Sequence, residues 1–399
     1  MKDVVIAAYL RTAQSRSRPK DPARDVFGEL RSDEMLAKLL PALLERSGIQ
    51  SPEVDDLILG CAQPFGEQFT IGGRTPWLLG NLDWNTPAKV VDQQCGSTIT
   101  AAQMAYLEIA TGNADIVVCA GMEHMTRMPM AGYGAHDQNP RLACDPELAH
   151  WDMDTANNMG LTAEQLAETG GISREAMDEW GVRSHQLAAQ ALEDGFLAGE
   201  ILPLEAPQAD GSRLLVDQDQ SIRAGANIED MAELRAPFRE NGRITAGNAS
   251  PLNAGASSLL LMSAETAGSK GIKPMATIRA IGFAGVEPGL MGRGPVPASR
   301  KALQQAGLQV DDIDYWEINE AFAAVVLYSI KELGIDETKV NVRGGGIAIG
   351  HPLAASGGRI LGTLARILEE RGGRYGCATM CCGGGQGVAI IIEREPRSD

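Results

Sequence analysis

Four short motifs in this 399-residue chain carry side chains able to do covalent carbonyl chemistry. The first is Cys95-Gly96-Ser97, reached through Val90-Val91-Asp92-Gln93-Gln94. Two β-branched residues read as the end of a strand. The run Thr98 to Thr111, whose single charge is Glu108, reads as a buried helix closed by Gly112. A cysteine at this junction meets the first backbone N–H groups of the helix, whose partial positive charge favours the thiolate that attacks carbonyl carbon. On its own Cys95 reads more readily as a small buried apolar residue, because free cysteine is among the most buried residue types.

The other three motifs lie in the C-terminal third. Gly344-Gly345-Gly346-Ile347-Ala348-Ile349-Gly350-His351-Pro352 sets a histidine on a glycine-rich loop before a helix, where it can accept a thiol proton or donate to a developing oxyanion. Cys377-Ala378-Thr379-Met380-Cys381-Cys382-Gly383-Gly384-Gly385 ends a strand in a glycine turn able to aim backbone N–H groups at an anion. Neighbouring side chains on a strand point to opposite faces, so only one of Cys381 and Cys382 can face a given cleft. Asn319-Glu320-Ala321-Phe322 follows the apolar strand Tyr315 to Ile318, and Asn319 there is either a turn residue or a hydrogen-bond donor to the site.

Strands alternating with helices position these motifs, which is an α/β signature. Val4 to Ala8 reads as a first strand. Ser32 reads as the N-cap of a helix with leucines at 36, 39, 40, 43 and 44 on one face, bent or shortened by Pro41 and stopped by Gly48. Leu57 to Gly60 is a second strand, Phe69 to Leu79 a helix, and Asp115 to Gly121 a strand. From about Glu123 to Ser250 the chain turns polar and irregular. Its clearest helix is Arg174 to Leu197, capped by Ser173, and this excursion reads as a binding segment rather than a third sheet. After Leu252 the opening pattern returns: a glycine-stopped helix leads through Val310-Asp311-Asp312 into a strand, as one leads through Val54-Asp55-Asp56. The loop and helix after His351 repeat those after Cys95. Two similar halves about a pseudo-two-fold axis follow, with Cys95 and His351 in equivalent positions.

A net charge of −17 argues against nucleic acid and anionic membrane surfaces as partners. No apolar run approaches the roughly 20 residues that span a bilayer. Seven cysteines without a secretory signal indicate a reduced, cytoplasmic setting, and five scattered histidines give no metal-ligand spacing.

Together the four motifs resemble the thiolase family over the whole length of the chain, in order and spacing. Met159-Gly160-Leu161-Thr162-Ala163-Glu164, Thr245-Ala246-Gly247-Asn248-Ala249-Ser250 and Gly294-Pro295-Val296-Pro297 match as well. The last of these, with Gly171-Ile172-Ser173-Arg174-Glu175, looks most like the degradative 3-ketoacyl-CoA thiolases. Asn158 stands where short-chain acetoacetyl-CoA thiolases have histidine, which speaks against that subclass.

The resemblance implies an α/β/α/β/α layering: an N-terminal half at 1–125 completed by 253–275, a CoA-binding loop domain at 126–252, and a C-terminal half at 276–399. It implies thiolytic cleavage of 3-ketoacyl-CoA by CoA, in fatty-acid β-oxidation, with no metal or further cofactor. Cys95 would be the nucleophile and His351 its activator. With a water held by Asn319, His351 would also form the oxyanion hole for the acetyl-CoA enolate. Cys381 would be the acid/base, and the N–H groups of Cys95 and Gly383 a second oxyanion hole. Ser250, Ala246, Met159 and Phe322 would line the pantetheine tunnel. Acetoacetyl-CoA condensation and non-catalytic acyl-CoA binding are the competing functions. A homodimer or homotetramer is implied, as is a complex with a hydratase–dehydrogenase subunit. Gln93 and Gln94 are expected to pack at a subunit interface or support the helix start, and His124 to be structural or tunnel-lining.

Overall fold

In the computed structural model, which describes residues 1–130 and 139–395, one mixed sheet runs through both ends of the chain. Its strands are β1 (Val4–Thr12), β2 (Ser15–Arg16), β3 (Asp56–Gly60), β4 (Ala88–Val91), β5 (Ile116–His124), β6 (Ile201–Leu202), β9 (Asn253–Ser263), β10 (Ala276–Gly285), β11 (Tyr315–Ile318), β12 (Tyr375–Cys382) and β13 (Gln386–Glu393). The excursion adds a separate two-stranded sheet from β7 (Leu204–Pro207) and β8 (Arg213–Val216).

The order β11-β12-β13-β10-β1-β9-β5-β3-β4 contains the same arrangement twice. In the first, β9 is antiparallel to both β1 and β5, and β5 is parallel to β3. In the second, β13 is antiparallel to β10 and β12, and β12 is parallel to β11. The two meet where β1 pairs with β10 through Val5↔Thr277 and Ile6↔Ala276. Each half uses an aspartate to pin its parallel pair. The Asp55 carboxylate accepts the N–H groups of Asp115 (2.7 Å) and Ile116 (2.9 Å), and Asp314 accepts those of Arg374 (2.7 Å) and Tyr375 (2.9 Å). Asp55 therefore matches Asp314, not Asp311, and the sequence repeat is one turn out of register. Val310–Asp312 instead forms the 3₁₀ turn that Ser51–Glu53 forms in the first half.

The helices are α1 (Ser32–Ser47), α2 (Arg74–Leu79), α3 (Ser97–Thr111), α4 (Arg141–Cys144), α5 (Met153–Ala156), α6 (Met159–Gly170), α7 (Arg174–Glu193), α8 (Ile228–Ala232), α9 (Ala264–Ser269), α10 (Pro295–Ala306), α11 (Ala323–Leu333) and α12 (Ala355–Arg371). Strand alternation sorts the core into three clusters. Leu57, Leu59, Val118, Ala120, Leu260 and Met262 pack with the leucines of α1 on one outer face. Ile58, Val117, Cys119, Leu259 and Leu261 turn inward to meet α3 and α12, as do Ala378, Met380, Val388, Ile390 and Ile392 from the other half. Ala389 and Ile391 face outward to α10 and α11. Helices, half-sheet, the pair α3/α12, half-sheet and helices thus stack in five layers. Among the described residues no helix is long and apolar enough to cross a membrane.

Several elements differ from the sequence expectation. Positive φ at Ile71, Gly72 and Gly73 breaks the 69–79 segment, so only Arg74–Leu79 is helical. Arg31 is the N-cap residue of α1, its backbone N–H donating to Glu34 Oε2 (3.3 Å), and Ser32 is the first helical residue. The helix runs on through Pro41 because its leucine face is buried on both sides of that residue. The helix begun at Arg174 stops at Glu193. The excursion also contributes strands, β6 onto β1 and the β7/β8 pair.

The central layer is tightest where β5 passes under both helix starts. A Cβ on Gly121 would lie 2.6 Å from Ala354 O and closer still to Thr98 Oγ1, which itself donates to Ala354 O. Gly121→Ala is expected to push α3 and α12 apart and destabilise by ~1–3 kcal/mol, the usual size of core overpacking. Thermal unfolding would show a Tm several degrees lower, and an unchanged Tm would refute the close packing described.

Candidate active site

A strained turn presents Cys95. Asp92 Oδ1 accepts the Gln94 N–H (2.7 Å), while Ser97 Oγ accepts the Gln93 N–H (3.0 Å) and donates to Gln94 O (2.6 Å). These bonds hold Gln94 at φ 52, a left-handed conformation that is unfavourable for a side-chain-bearing residue. The Gln93 side chain donates to Gln386 Oε1 (3.1 Å) and receives the Thr100 hydroxyl, tying the helix start to β13. The glutamines thus support the helix start.

Cys95 is only 8% exposed, and the nearby backbone N–H groups of Gly383 and of Cys95 itself favour its thiolate. Burial and the neighbouring Cys381 nevertheless push its thiol well above the usual range. The helix end alone therefore does not yield a standing thiolate, because desolvation outweighs it. Thiolate formation needs a base at hand.

His351 supplies a neutral imidazole. Burial, then the charge of Arg359, holds its pKa down at about 3. Asn253 Oδ1 accepts the His351 backbone N–H (2.7 Å), and Nδ1 lies 2.6 Å from Ser356 Oγ. The Ser356 hydroxyl can also donate to Pro352 O (3.3 Å), so it can accept from Nδ1–H or donate to bare Nδ1. Either tautomer at Nε2 is supported. The Asn319 amide nitrogen stands 3.4 Å from Nε2 and 3.5 Å from Nδ1, and its Oδ1 is buried without a hydrogen-bond partner.

His351 stands four residues before α12, whereas Cys95 stands two before α3, so the two are not equivalent positions. The segments that carry them converge because the two helix starts touch.

Cys381 and Cys382 diverge. Cys381 packs in the outer cluster with Phe322, while Cys382 packs in the central one, its sulfur against Gly96 and receiving the Gly96 N–H. Burial pushes the Cys381 thiol up to about 12, which keeps it protonated. Positive φ at Gly384 and Gly385 closes the turn that leaves Gly383 facing Gln94 and Cys95.

Residues 4–265 match the family description "Thiolase, N-terminal domain" and residues 272–394 match "Thiolase, C-terminal domain". This chain belongs to the thiolase family. It is 42% identical over 398 residues to the 3-ketoacyl-CoA thiolase of Marinobacter nauticus, covering 98% of each chain. It is 44% identical over 400 residues to the enzyme of that name from Alcanivorax borkumensis, again covering 98% of each. The Hahella chejuensis 3-ketoacyl-CoA thiolase is 42% identical over 398 residues with the same coverage.

Of the tunnel residues expected in a thiolase, the structure joins the segments that carry Ser250 and Phe322. The Ser250 N–H (3.0 Å) and hydroxyl (3.1 Å) both donate to Ala321 O, and Ala249 bridges to Phe322. Met159 packs against the same outer cluster, at the start of an α6 capped by Asn158. Ala246 is exposed on a turn, apart from that packing. His124 is structural: its Nε2 bonds to Phe27 O (3.0 Å) and its Nδ1 accepts the Arg127 N–H.

Four buried residues that the motif reading passed over hold this thiolase site together: Glu320, Glu123, Asn253 and Ser356. Their signal was present, since Glu320 and Glu123 are carboxylates inside otherwise apolar strand ends. Glu320 accepts from Trp180 Nε1 (2.9 Å), Ser184 Oγ (2.6 Å), Asn341 Nδ2 (2.9 Å) and the Ile347 N–H (3.1 Å). Glu123 accepts from Gln68 Nε2 (2.6 Å) and the N–H groups of Ala62 (3.0 Å) and Ala354 (3.4 Å).

Burial raises the Glu123 carboxyl to about 7 against its three hydrogen bonds. A carboxyl raised in the fold contributes stability that is complete below its ordinary range near 4.5 and is lost as pH rises through about 7. Between pH 4.5 and 8 the protein should lose ~3 kcal/mol from this group. Glu123→Gln should flatten that part of a Tm-versus-pH profile, and an equally steep profile in the variant would exclude Glu123 as its source.

Proposed function

We propose that the chain is a 3-ketoacyl-CoA thiolase, an acyltransferase that cleaves 3-ketoacyl-CoA with CoA to acetyl-CoA and a shortened acyl-CoA. One observation supports the mechanism: Cys95 lies buried beside Cys381 and the Gly383 turn, and the loop that carries His351 leads into the helix start that touches the one behind Cys95, with burial favouring a neutral imidazole and protonated thiols. His351 takes the proton of Cys95 as its sulfur attacks the 3-keto carbon, so no standing thiolate is required. The new oxyanion is held by the N–H groups of Cys95 and Gly383. The C2–C3 bond breaks, leaving the acyl group on Cys95 and its electron pair in the enolate of acetyl-CoA.

The enolate oxygen is held by protonated His351 and a water on Asn319. The Cys381 thiol, kept protonated by burial, gives its proton to C2, and acetyl-CoA leaves. The Cys381 thiolate then deprotonates incoming CoA. The CoA sulfur attacks the Cys95 thioester, and collapse releases the shortened acyl-CoA while the Cys95 sulfur recovers its proton from His351. Met159, Ser250 and Phe322 flank the approach of the pantetheine arm. The names of the relatives and the position of Asn158 favour cleavage across chain lengths over acetoacetyl-CoA condensation.

We propose further that the protein is a homodimer joined along β4. This strand ends the sheet, and Ile71 and Trp84 beside it are 69% and 72% exposed. Unpaired edge strands flanked by apolar side chains are templates for pairing with another chain.

Acetyl-CoA should leave a covalent acetyl group on Cys95 and none in Cys95→Ala, read by peptide mass spectrometry; labelling at Cys61 or Cys119 instead would overturn the mechanism. Cys381→Ser should slow turnover at least 10²-fold, the range for loss of a general acid. Thiolysis confined to the four-carbon substrate in a chain-length series would favour the condensing function. Ile71→Arg with Trp84→Arg should convert a dimer to monomers in light scattering, and a variant of undiminished mass would place the interface elsewhere.

A further inference from the structure

One buried face of α12 is polar where a helix of a central layer is expected to be apolar. Ser356, Arg359 and Thr363 stand three and four residues apart, so their side chains leave the same side of the helix, and all three are fully buried. Each meets a polar group from elsewhere in the chain. Ser356 Oγ lies 2.6 Å from His351 Nδ1, Arg359 Nη1 donates to Glu317 Oε2 (3.3 Å), and Thr363 Oγ1 donates to Glu200 Oε2 (3.0 Å).

Strand β11 repeats this order. Glu317 and Asn319 are two residues apart, and the Asn319 N–H continues the ladder to Thr379 O (3.0 Å), so both side chains lie on one face. Asn319 stands beside the imidazole, and Glu317 holds the guanidinium one strand repeat away. The pair Glu317–Arg359 is thus the layer next to the pair Asn319–His351, and Ser356, one helical turn before Arg359, touches the histidine ring.

Arg11 and Arg359 are both completely buried, yet they are compensated unequally. Arg11 meets Glu200 (2.8 Å) and both oxygens of Asp219 (2.7 and 2.8 Å). Arg359 has one carboxylate bond of 3.3 Å, longer than the ~2.7–2.9 Å usual for a charged pair. Its Nε and Nη2, and Glu317 Oε1, are buried without a hydrogen-bond partner. Burial lifts the Glu317 carboxyl to about 8 against the pull of Arg359; Glu320 and Glu200 push the same way, and Arg183 draws it back. At neutral pH the partner therefore carries less than a full negative charge, whereas a guanidinium keeps its proton.

The neighbouring groups do not make up the difference. Glu200 is taken up by Arg11, Thr363 and Arg366, and Glu320 by its four donors. Burial holds the Tyr9 hydroxyl in its neutral form. A positive charge is left one helical turn from the serine that touches the imidazole, and after burial it is this charge that pushes His351 down.

We propose that Arg359, with Glu317 as its counterweight, is a positioning residue for the thiolase reaction: its buried charge keeps the His351 imidazole neutral and makes the imidazolium a strong acid, so that the proton taken from Cys95 is given back. This rests on the reading of His351 as the base for Cys95. An imidazolium without this neighbour would hold its proton and slow the collapse that frees Cys95. The pair acts on proton transfer and leaves substrate binding alone.

The test follows alkylation of Cys95 by iodoacetamide in the full-length protein, in which the sulfur displaces iodide as its proton passes to His351, read by peptide mass spectrometry against pH. At neutral pH Arg359→Met makes His351 the stronger base, and Cys95 should be alkylated on the order of threefold faster than in wild type. Glu317→Gln should match wild type below about 8, where Glu317 is protonated, and fall behind it above, where the ionised carboxylate opposes the guanidinium. Wild type should therefore cross from the Glu317→Gln profile toward the Arg359→Met profile as pH rises. In thiolysis, Arg359→Met should lower kcat by a similar factor with both KM values unchanged, and Arg359→Lys should restore it. Removal of one partner from a buried pair can unfold a protein, so Glu317→Gln/Arg359→Met, which buries no charge, is measured as well and should follow Arg359→Met. Equal profiles in wild type and the folded double variant, or changes that run parallel at every pH, would reduce the pair to scaffolding and overturn the proposal. A wild type that cleaves 3-ketoacyl-CoA without such a crossing overturns the pair alone. A wild type that shows the crossing and cleaves nothing supports the pair and overturns the catalytic reading.

Discussion

The site depends above all on the Glu320 carboxylate, buried and bonded to four donors from three parts of the chain. Trp180 and Ser184 come from α7 in the excursion, Asn341 follows α11, and Ile347 lies inside the glycine loop that delivers His351. A buried carboxylate is tolerated only when its lone pairs are fully occupied. The folded state is therefore compelled to keep all four donors in place, and through them the loop. Because Glu320 directly follows Asn319, the same constraint that fixes the histidine loop fixes the asparagine beside the imidazole. Glu123 does similar work in the other half, joining the Ala62 turn to the start of α12.

The proposed chemistry rests on dryness more than on helix electrostatics. Cys95, Cys381 and His351 are all driven by desolvation toward their neutral forms. A neutral acid–base pair can exchange a proton at the moment a carbonyl accepts the sulfur. An ion pair formed beforehand would be stabilised in the ground state and would gain less on the way to the transition state.

The fold class and the four site motifs were legible in the sequence because they rest on local signals: period-two and period-3.6 hydrophobicity, glycine stops, and reactive residues at strand–helix junctions. What was not legible depends on contacts far apart in the chain. The matching of Asp55 with Asp314 is decided by which N–H groups each carboxylate caps, and a one-turn slip leaves the sequence repeat looking equally good. The break at Ile71-Gly72-Gly73 contradicts an apolar run that reads as helix. Ser32 looks like a cap, yet Arg31 holds that place, with its backbone N–H bonded to the Glu34 carboxylate. The thiol of Cys95 shows the same limit, since its position at a helix start is visible in sequence while its burial against Cys381 is not.

The strand order has a consequence for the birth of the protein. β9 lies between β1 and β5, yet it is made only after the whole excursion has been translated. Until Ser263 leaves the ribosome, the first half-sheet lacks its middle strand, and the edges of β1 and β5 stand open. Closure then joins residues some 250 positions apart, as in Val5↔Met262, a slow and entropically demanding step for a nascent chain. The C-terminal half has no such delay, since β12 and β13 form a hairpin and β10 through β13 emerge in sequence. The half that carries Cys95 is therefore the one exposed longest to unproductive pairing during synthesis.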